Sequence, residues 1–155
     1  MEYTVRAARI TDIDKFVALS GGRIGGRGSS TALDAADMLR QLVYLPHASI
    51  LVAERRREIV GGAVLAIRPS VRAGGYVGTI DLLVVASGAD ADTVTEILLV
   101  EALRSAANKG CASVEAPRPD DPTERTRWEE RGFSDLGPHM GHVLAPAGAG
   151  GRRSR

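Results

Sequence analysis

Asp81 is the residue that type and setting favour most as a proton acceptor in this chain of 155 residues. It is the only carboxylate between Val71 and Val85, a stretch of β-forming and small residues that predicts a strand. Regular alternation would place Asp81 on one face with Thr79, Leu83 and Val85. A carboxylate in that position can act as a general base. The competing interpretation is a solvated or capping charge at a strand edge.

The segment after this strand holds a second set of chemically interesting residues, Asp90-Ala91-Asp92-Thr93-Val94-Thr95, where the longest predicted helix begins. Asp92 is expected to be the N-cap, accepting a hydrogen bond from the N–H of Val94 or Thr95. A helix that satisfies its own first donors has fewer left for a bound anion. The sequence therefore predicts a self-capped helix at this turn.

The elements that must position these residues follow from periodicity and capping signals. Strands two to four follow one another without a helix between them, which excludes a plain βαβ repeat. The predicted elements are a strand over Tyr3–Ala7, a helix from Thr11 or Asp12 to Gly21, a helix over Ala32–Tyr44, strands over Ile50–Glu54, Ile59–Ile67 and Tyr76–Val85, a helix over Asp92–Lys109, a strand over Cys111–Ala116, a helix between Asp121 and Gly132, and a closing pair over Phe133–Leu136 and His142–Leu144.

Composition limits the classes of protein that need to be considered. The length and the 44% hydrophobic content predict one domain over residues 1–145, followed by a disordered basic tail over residues 146–155. Removing the three tail arginines from the formal charge of +1 leaves −2 for the rest, so no nucleic-acid partner is expected. One cysteine and three scattered histidines predict no metal site. The absence of a long apolar run or a signal-peptide pattern predicts a cytoplasmic protein without a membrane partner.

The order of elements resembles the GNAT superfamily of N-acyltransferases over residues 3 to 144. The resemblance is carried by Ile80-Asp81-Leu82-Leu83-Val84-Val85 before the longest helix and by Trp128-Glu129-Glu130-Arg131-Gly132-Phe133 near the end. It implies an α/β (α+β layered) fold with a mixed, mostly antiparallel sheet of six to seven strands and about four flanking helices. It also implies acetyl-CoA or another acyl-CoA as co-substrate, and an amine of a small molecule or peptide as acceptor.

The same resemblance assigns the cofactor contacts. The backbone of Leu83, Val84 and Val85 would pair with the pantetheine arm of acyl-CoA, and Val84 or Val85 would supply the N–H that polarises the thioester. The turn from Ala91 through Asp92, Thr93 and Val94 to Thr95 would face the pyrophosphate, and Trp128 would border the cofactor.

This chain departs from the family pattern at the turn and near its end. The family turn reads Arg/Gln-x-x-Gly-x-Gly/Ala, whereas Asp90 stands at the Arg/Gln position and Thr93 and Thr95 replace the small residues. Negative charge and threonine side chains there weaken a pyrophosphate site. Trp128 takes a position often held by a tyrosine acid, and its indole is not a usable acid near neutral pH. Core packing is the competing interpretation of Trp128.

The acceptor side is less well defined by the residues. The resemblance places the glycine-rich loop over Gly21–Ser30 at the acceptor pocket, where Arg23 and Arg27 would meet an acidic acceptor. It places His139 beside the same cleft. A spacer loop and a solvated histidine are the competing interpretations. The loop lacks Lys followed by Ser or Thr and follows a helix, so it is not a P-loop.

Two functions therefore remain open. One is a GNAT-like N-acetyltransferase with a weakened pyrophosphate site and Asp81 as its base. The other is a catalytically silent GNAT-like module that binds a partner or a different ligand. A second copy of the chain is a candidate partner in either case.

Overall fold

A computed structural model describes residues 2–21 and 32–137. Several sequence expectations lie outside these residues, namely Arg23, Arg27, His139, the strand over His142–Leu144 and the tail over residues 146–155. They stay predictions.

The centre of the structure is a sheet of five strands in the order β1-β2-β3-β4-β5. The strands are β1 (Thr4–Ala7), β2 (Ala48–Arg55), β3 (Glu58–Ser70), β4 (Gly75–Val85) and β5 (Cys111–Glu115). The first three pairings are antiparallel and β4 pairs with β5 in parallel. The expected mixed, mostly antiparallel sheet is confirmed, although the described residues form five strands and not six to seven.

The segment Phe133–Leu136, expected to be a strand, has no regular structure. The Asp135 side chain accepts a hydrogen bond from the Gly137 N–H at 2.9 Å and forms an ion pair with Arg118 at 2.7 Å. Gly137 also has a positive φ of 95°. Such local side-chain contacts compete with a β-ladder and turn the chain instead.

Four α-helices flank the sheet in the described ranges, as expected. They are α1 (Ile13–Ser20), which follows a short 3₁₀ turn over Ile10–Asp12, α2 (Ala32–Leu42), α3 (Ala91–Asn108) and α4 (Pro122–Glu130). Helix α1 ends at Gly21, whose φ of 56° is left-handed. Helix α4 begins as predicted, with Asp121 accepting from the Thr123 N–H and Pro122 in the first turn.

The apolar core lies in two layers, one on each face of the sheet. Helix α3 covers one face with Leu98 and Leu99, which pack around Ile80. Helices α1 and α2 cover the other face, where Phe16 packs with Val52. Each strand therefore contributes alternate residues to the two layers, which is why the central strands are buried on both sides.

Two adjacent glycines of β3 allow the helices to approach this closely. A Cβ on Gly61 would lie 2.7 Å from Val94 Cγ1 of α3, and a Cβ on Gly62 would overlap the Phe16 ring of α1. Phe16 and Val94 are fully buried, so neither side chain has space to move away. The two glycines set the distance between the sheet and each helical layer.

Gly62→Ala is therefore expected to lower the free energy of unfolding by about 1–3 kcal/mol, the usual cost of overpacking a core. Urea unfolding monitored by circular dichroism measures this change. Gly75→Ala is the matched control, because a Cβ there meets no atom within 4 Å. Equal losses in the two variants would contradict the tight contact between Phe16 and β3.

An ion cluster joins β1, the 3₁₀ turn and β2. Arg6 Nη1 lies 2.7 Å from Asp12 Oδ2, and Arg6 Nε lies 2.9 Å from Glu54 Oε1. Asp12 is only 8% exposed and also accepts from the Arg9 N–H at 2.7 Å. The hydrogen bond from Arg6 is the main reason that the pKa of Asp12 lies below its ordinary value of 3.8.

The free energy that this pair contributes depends on pH in a defined direction. Because the pKa of Asp12 is lower in the folded chain, the contribution is complete above the unfolded value of 3.8 and is lost as the pH falls through the folded pKa. Asp12→Asn should lower the free energy of unfolding by about 1–3 kcal/mol at pH 7. The difference in the free energy of unfolding between variant and parent should become smaller below pH 3.8.

Urea titrations at pH 7 and at steps below pH 4 test this dependence. Asp14→Asn is the control, because Asp14 pairs with Arg40 at 2.8 Å but its side chain is 83% exposed. Exposed pairs contribute about 0–1 kcal/mol. If Asp12→Asn lowered the free energy of unfolding by the same amount at every acid pH, the ion pair between Arg6 and Asp12 would not be the source of the pH dependence.

Candidate functional site

The cleft of this protein begins where β5 separates from β4. The two strands pair from Tyr76 with Cys111 to Thr79 with Glu115, and no pairing continues beyond that point. The chain that follows β5 contains Pro117 and Pro119, which have no N–H to donate to a ladder. The part of β4 after Thr79 therefore keeps an open edge on this side of the described sheet.

The space between the separated segments is a cleft of about 410 Å³. Its walls come from β4, the turn before α3, the connection after β5 and one face of α4. The lining residues are Ile80, Asp81, Leu82, Leu83, Val85, Ala86, Ser87, Ala89, Ala91, Thr95, Pro117, Arg118, Pro119, Asp120, Glu124, Arg127 and Trp128. A larger depression of about 910 Å³ lies on the far side of the same connection, and Trp128 borders both.

Asp81 occupies a β-bulge on the cleft side of β4. Val64 pairs with Leu82 and Leu65 pairs with Ile80, so Asp81 is the extra residue opposite β3. Its side chain is exposed and lines the cleft. In the part of the chain that the structure covers, it makes no hydrogen bond or ion pair. A bulge at this point turns a carboxylate toward the cleft.

Because of the bulge, the side chains of β4 do not alternate between the two faces as predicted. Ile80 packs in the core layer under α3, and Leu83 and Val85 pack against the same layer. Leu82 belongs to the opposite layer. The alternation therefore changes phase at Asp81, and Thr79 does not share a face with Leu83 and Val85. The expectation failed because it assumed an uninterrupted period of two.

The backbone of β4 presents alternate N–H groups to the open edge. The Ala86 N–H donates to the Val60 carbonyl of β3 at 2.7 Å. Because N–H groups alternate along a strand, that of Val84 also points to β3, whereas those of Leu83 and Val85 point to the open edge. Leu83 and Val85 line the cleft, but the Val84 side chain is buried in the layer under α1 and α2.

The turn before α3 is self-capped, although not by the expected residue. Asp90 is the N-cap, and its carboxylate accepts from the Thr93 N–H at 3.3 Å and from the Thr93 hydroxyl at 2.8 Å. The prediction that Asp92 caps Val94 or Thr95 is wrong, because the Val94 N–H donates to the Asp90 carbonyl at 2.9 Å. Thr93 is the third residue of the helix, which is a usual position for the N–H that an N-cap side chain accepts from.

The capping contacts have an electrostatic consequence. The hydroxyl and the N–H of Thr93 hold the pKa of Asp90 below its ordinary value, so the carboxylate stays charged at neutral pH. The Asp90 N–H itself donates to the Tyr3 hydroxyl at 3.1 Å. An anion that approaches this turn therefore meets a negative charge and an occupied amide.

Asp92 has a different role, in the first turn of α3. It forms an ion pair with Arg127 of α4. In a second pair, Arg131, the residue directly after α4, lies 2.9 Å from Glu96 of α3. Both pairs cross from α3 to the segment that carries Trp128, and only Arg127 of these four residues lines the cleft.

The other expected cofactor residues separate into two groups. Ala91 and Thr95 line the cleft, whereas Asp92 and Thr93 lie outside its lining and Val94 is fully buried in the core. Trp128 is half-buried against the layer under α3 and meets Phe133 edge-on, with ring centroids 5.0 Å apart. It packs into the core and borders the cleft, so both interpretations of this residue describe part of its surroundings.

Sequence reasoning missed four charged residues of the cleft, Arg118, Asp120, Glu124 and Arg127. Two of them had a detectable signal. Glu124, Arg127 and Trp128 stand at positions i, i+3 and i+4 of one helix and therefore share a face. Any role for Trp128 in the cleft implied that its helical neighbours also lie there.

No group of three or more histidine, cysteine or acidic side chains is arranged to hold a metal ion in residues 2–21 and 32–137. No helix in those ranges combines the length and the apolar character needed to cross a membrane.

No family model matches the sequence, and no curated protein is significantly similar to it. Solved structures, in contrast, share its fold. A transcriptional regulator from Bacillus halodurans is 19% identical, with a TM-score of 0.78 over 92% of this chain and 100% of that chain. Glucosamine-6-phosphate N-acetyltransferase from Arabidopsis thaliana is 20% identical, with a TM-score of 0.73 over 94% and 100%.

An aminoglycoside acetyltransferase from an uncultured soil metagenomic sample, solved with trehalose, is 14% identical, with a TM-score of 0.72 over 92% of this chain and 97% of that chain. The structural neighbours are mostly acetyltransferases of the GNAT type. The chain has the GNAT fold, as the order of its elements predicted.

Proposed function

We propose that this chain is an acyl-CoA-dependent N-acyltransferase that acts on an amine of a small molecule or peptide. The observation that carries the proposal is the open edge of β4 beside the cleft, with a bulge at Asp81. The N–H groups of Leu83 and Val85 suit a pantetheine arm that adds to the sheet as a further strand.

The chemistry follows from the groups at this edge. Asp81 accepts a proton from the acceptor ammonium, directly or through one water molecule. The freed amine nitrogen attacks the thioester carbonyl carbon, while an edge N–H of β4 stabilises the charge that develops on the carbonyl oxygen. After the attack the nitrogen gives up its second proton to water, the new C–N bond replaces the C–S bond, and the CoA thiolate leaves and takes up a proton from water.

Binding and turnover of acetyl-CoA test this proposal. Because the chain contains one tryptophan and Trp128 borders the cleft, binding should change the tryptophan emission and should saturate below about 1 mM by calorimetry. Release of free thiol with amino sugars, aminoglycosides and peptide N-termini measures transfer. Asp81→Asn should lower kcat at least about 100-fold, because it removes the general base.

The same variant should bind acetyl-CoA within twofold of the parent, since the amide is nearly isosteric. Asp120→Asn is the control, because Asp120 is another carboxylate of the cleft but lies outside β4. A parent that gives no heat with acetyl-CoA, propionyl-CoA or longer thioesters at millimolar concentration would refute the proposal. An equal loss of kcat in Asp81→Asn and Asp120→Asn would contradict the role of Asp81 as the general base.

The alternative function is a catalytically silent module that binds a partner or a different ligand. The observation that favours it is the Asp90 cap, which occupies the Thr93 amide and brings negative charge to the turn where the resemblance places a pyrophosphate. One structural relative carries the name of a transcriptional regulator and not of an enzyme. The cap is a local feature, so it can be tested separately.

Asp90→Gly should tighten acetyl-CoA binding about tenfold. The variant removes a negative charge from the turn and frees the Thr93 amide, whereas glycine is well tolerated at an N-cap and lets α3 keep its start. Asp121→Gly is the matched control, because it deletes the N-cap of α4 and the same charge away from the cleft lining.

Calorimetry on the two variants and the parent separates the two functions. Binding that appears in Asp90→Gly alone supports the silent module, in which the cap excludes the cofactor. A parent that binds acetyl-CoA as tightly as Asp90→Gly contradicts the obstruction by the cap and removes the support for the module.

A further inference from the structure

Arg127 brings a guanidinium group with unoccupied donors to the wall of the cleft. Its Nε donates to Asp92, and this is the only hydrogen bond that its guanidinium makes within residues 2–21 and 32–137. The side chain is 24% exposed, and Arg127 is one of the residues that line the cleft. Its two terminal nitrogens therefore keep their donors for a ligand.

Asp92 determines how this guanidinium is held. Because the carboxylate engages Nε, it restrains the plane of the group and leaves the fork formed by the terminal nitrogens open. A guanidinium fork matches two oxygens of a phosphate better than a lysine ammonium does. The hydrogen bond to Asp92 also raises the pKa of Arg127, so the group is charged at any working pH.

The position of Arg127 distinguishes it from the other basic residue of the cleft. The pair with Asp92 puts Arg127 beside the first turn of α3, next to the amide that Asp90 occupies. Arg118 follows β5 and lines both depressions, but its guanidinium is paired at 2.7 Å with Asp135, which lines only the larger depression. A positively charged side chain therefore lies beside the turn before α3, although it belongs to α4.

We propose that Arg127 binds the diphosphate of acyl-CoA through its terminal nitrogens and supplies the anion contact that the self-capped turn before α3 lacks. Asp92 is the positioning residue, acting through Arg127. This inference rests on the proposed acyltransferase function and assigns the phosphate contact to a different element of the same cleft.

The variant Arg127→Gln tests the inference when its binding is measured with two acyl donors, one that carries phosphate and one that does not. Acetyl-CoA carries the diphosphate, whereas S-acetylpantetheine has the same thioester arm without phosphate. The variant should bind acetyl-CoA at least tenfold more weakly than the parent, a change of about 1.4 kcal/mol. It should bind S-acetylpantetheine within twofold of the parent, which also shows that its cleft is folded. Calorimetry measures both affinities.

Arg131→Gln is the matched control. Arg131 directly follows α4 as its C-cap and pairs with Glu96 of α3, but it does not line this cleft. The control should bind both donors within twofold of the parent. An equal loss of acetyl-CoA binding in the two variants would mean that any α3–α4 ion pair has this effect, and would overturn the inference.

The remaining outcomes separate the two proposals. If the parent binds acetyl-CoA and Arg127→Gln binds it equally well, the inference fails and the proposed function stands. If Arg127→Gln loses both donors to the same degree, Arg127 has a structural role and the inference fails. If the parent binds neither donor, the proposed function fails, and the inference fails with it.

Discussion

The interrupted pairing between β4 and β5 is the constraint on which the rest of this structure depends. A parallel ladder that continued past Thr79 and Glu115 would close the cleft and use the N–H groups of Leu83 and Val85. Prolines at positions 117 and 119 prevent this, because they cannot donate to a strand. The bulge at Asp81 then changes the phase of β4 at the start of its open edge. Backbone chemistry therefore keeps the cleft open, and the side chains act within it.

The charged groups around the cleft are arranged mostly as pairs between neighbouring elements. Asp90 is engaged by Thr93, and Asp92 by Arg127 across the gap between α3 and α4. The turn is thus electrostatically satisfied without a ligand, which weakens the positive end of α3 as an anion site. The guanidinium of Arg127 restores a cation at the same place. The proposed contact with the cofactor diphosphate therefore depends on the balance between the Asp90 carboxylate and the Arg127 guanidinium.

The packing of the two helical layers supports the geometry of the cleft. Gly61 and Gly62 let α3 and α1 pack directly on opposite faces of β3, so the central strands lie between two closely packed helical layers. Trp128 anchors α4 to the same core through Phe133 and the residues under α3. Its indole consequently cannot leave the cleft wall without disturbing the core.

Local signals in the sequence determined the elements and their order. Gly21 ends α1 because only the left-handed conformation continues the chain there, and Asp121 with Pro122 begins α4 because both suit the first turn of a helix. These are interactions over a few residues, so the sequence alone is enough to predict them. The resemblance to the GNAT fold rested on that order and was confirmed by the structure.

Only the tertiary structure decided the details of the site. A β-bulge is one extra residue without a characteristic residue type, so the change of side-chain alternation at Asp81 could not be predicted from the sequence. Asp90 and Asp92 are the same residue type two positions apart, and the helix start selects between them as the cap. Asp92 and Arg127 are 35 residues apart in sequence, and their pairing exists only because α3 and α4 meet beside the open edge of β4. Local patterns specify elements, whereas contacts between distant elements create the cleft and its charges.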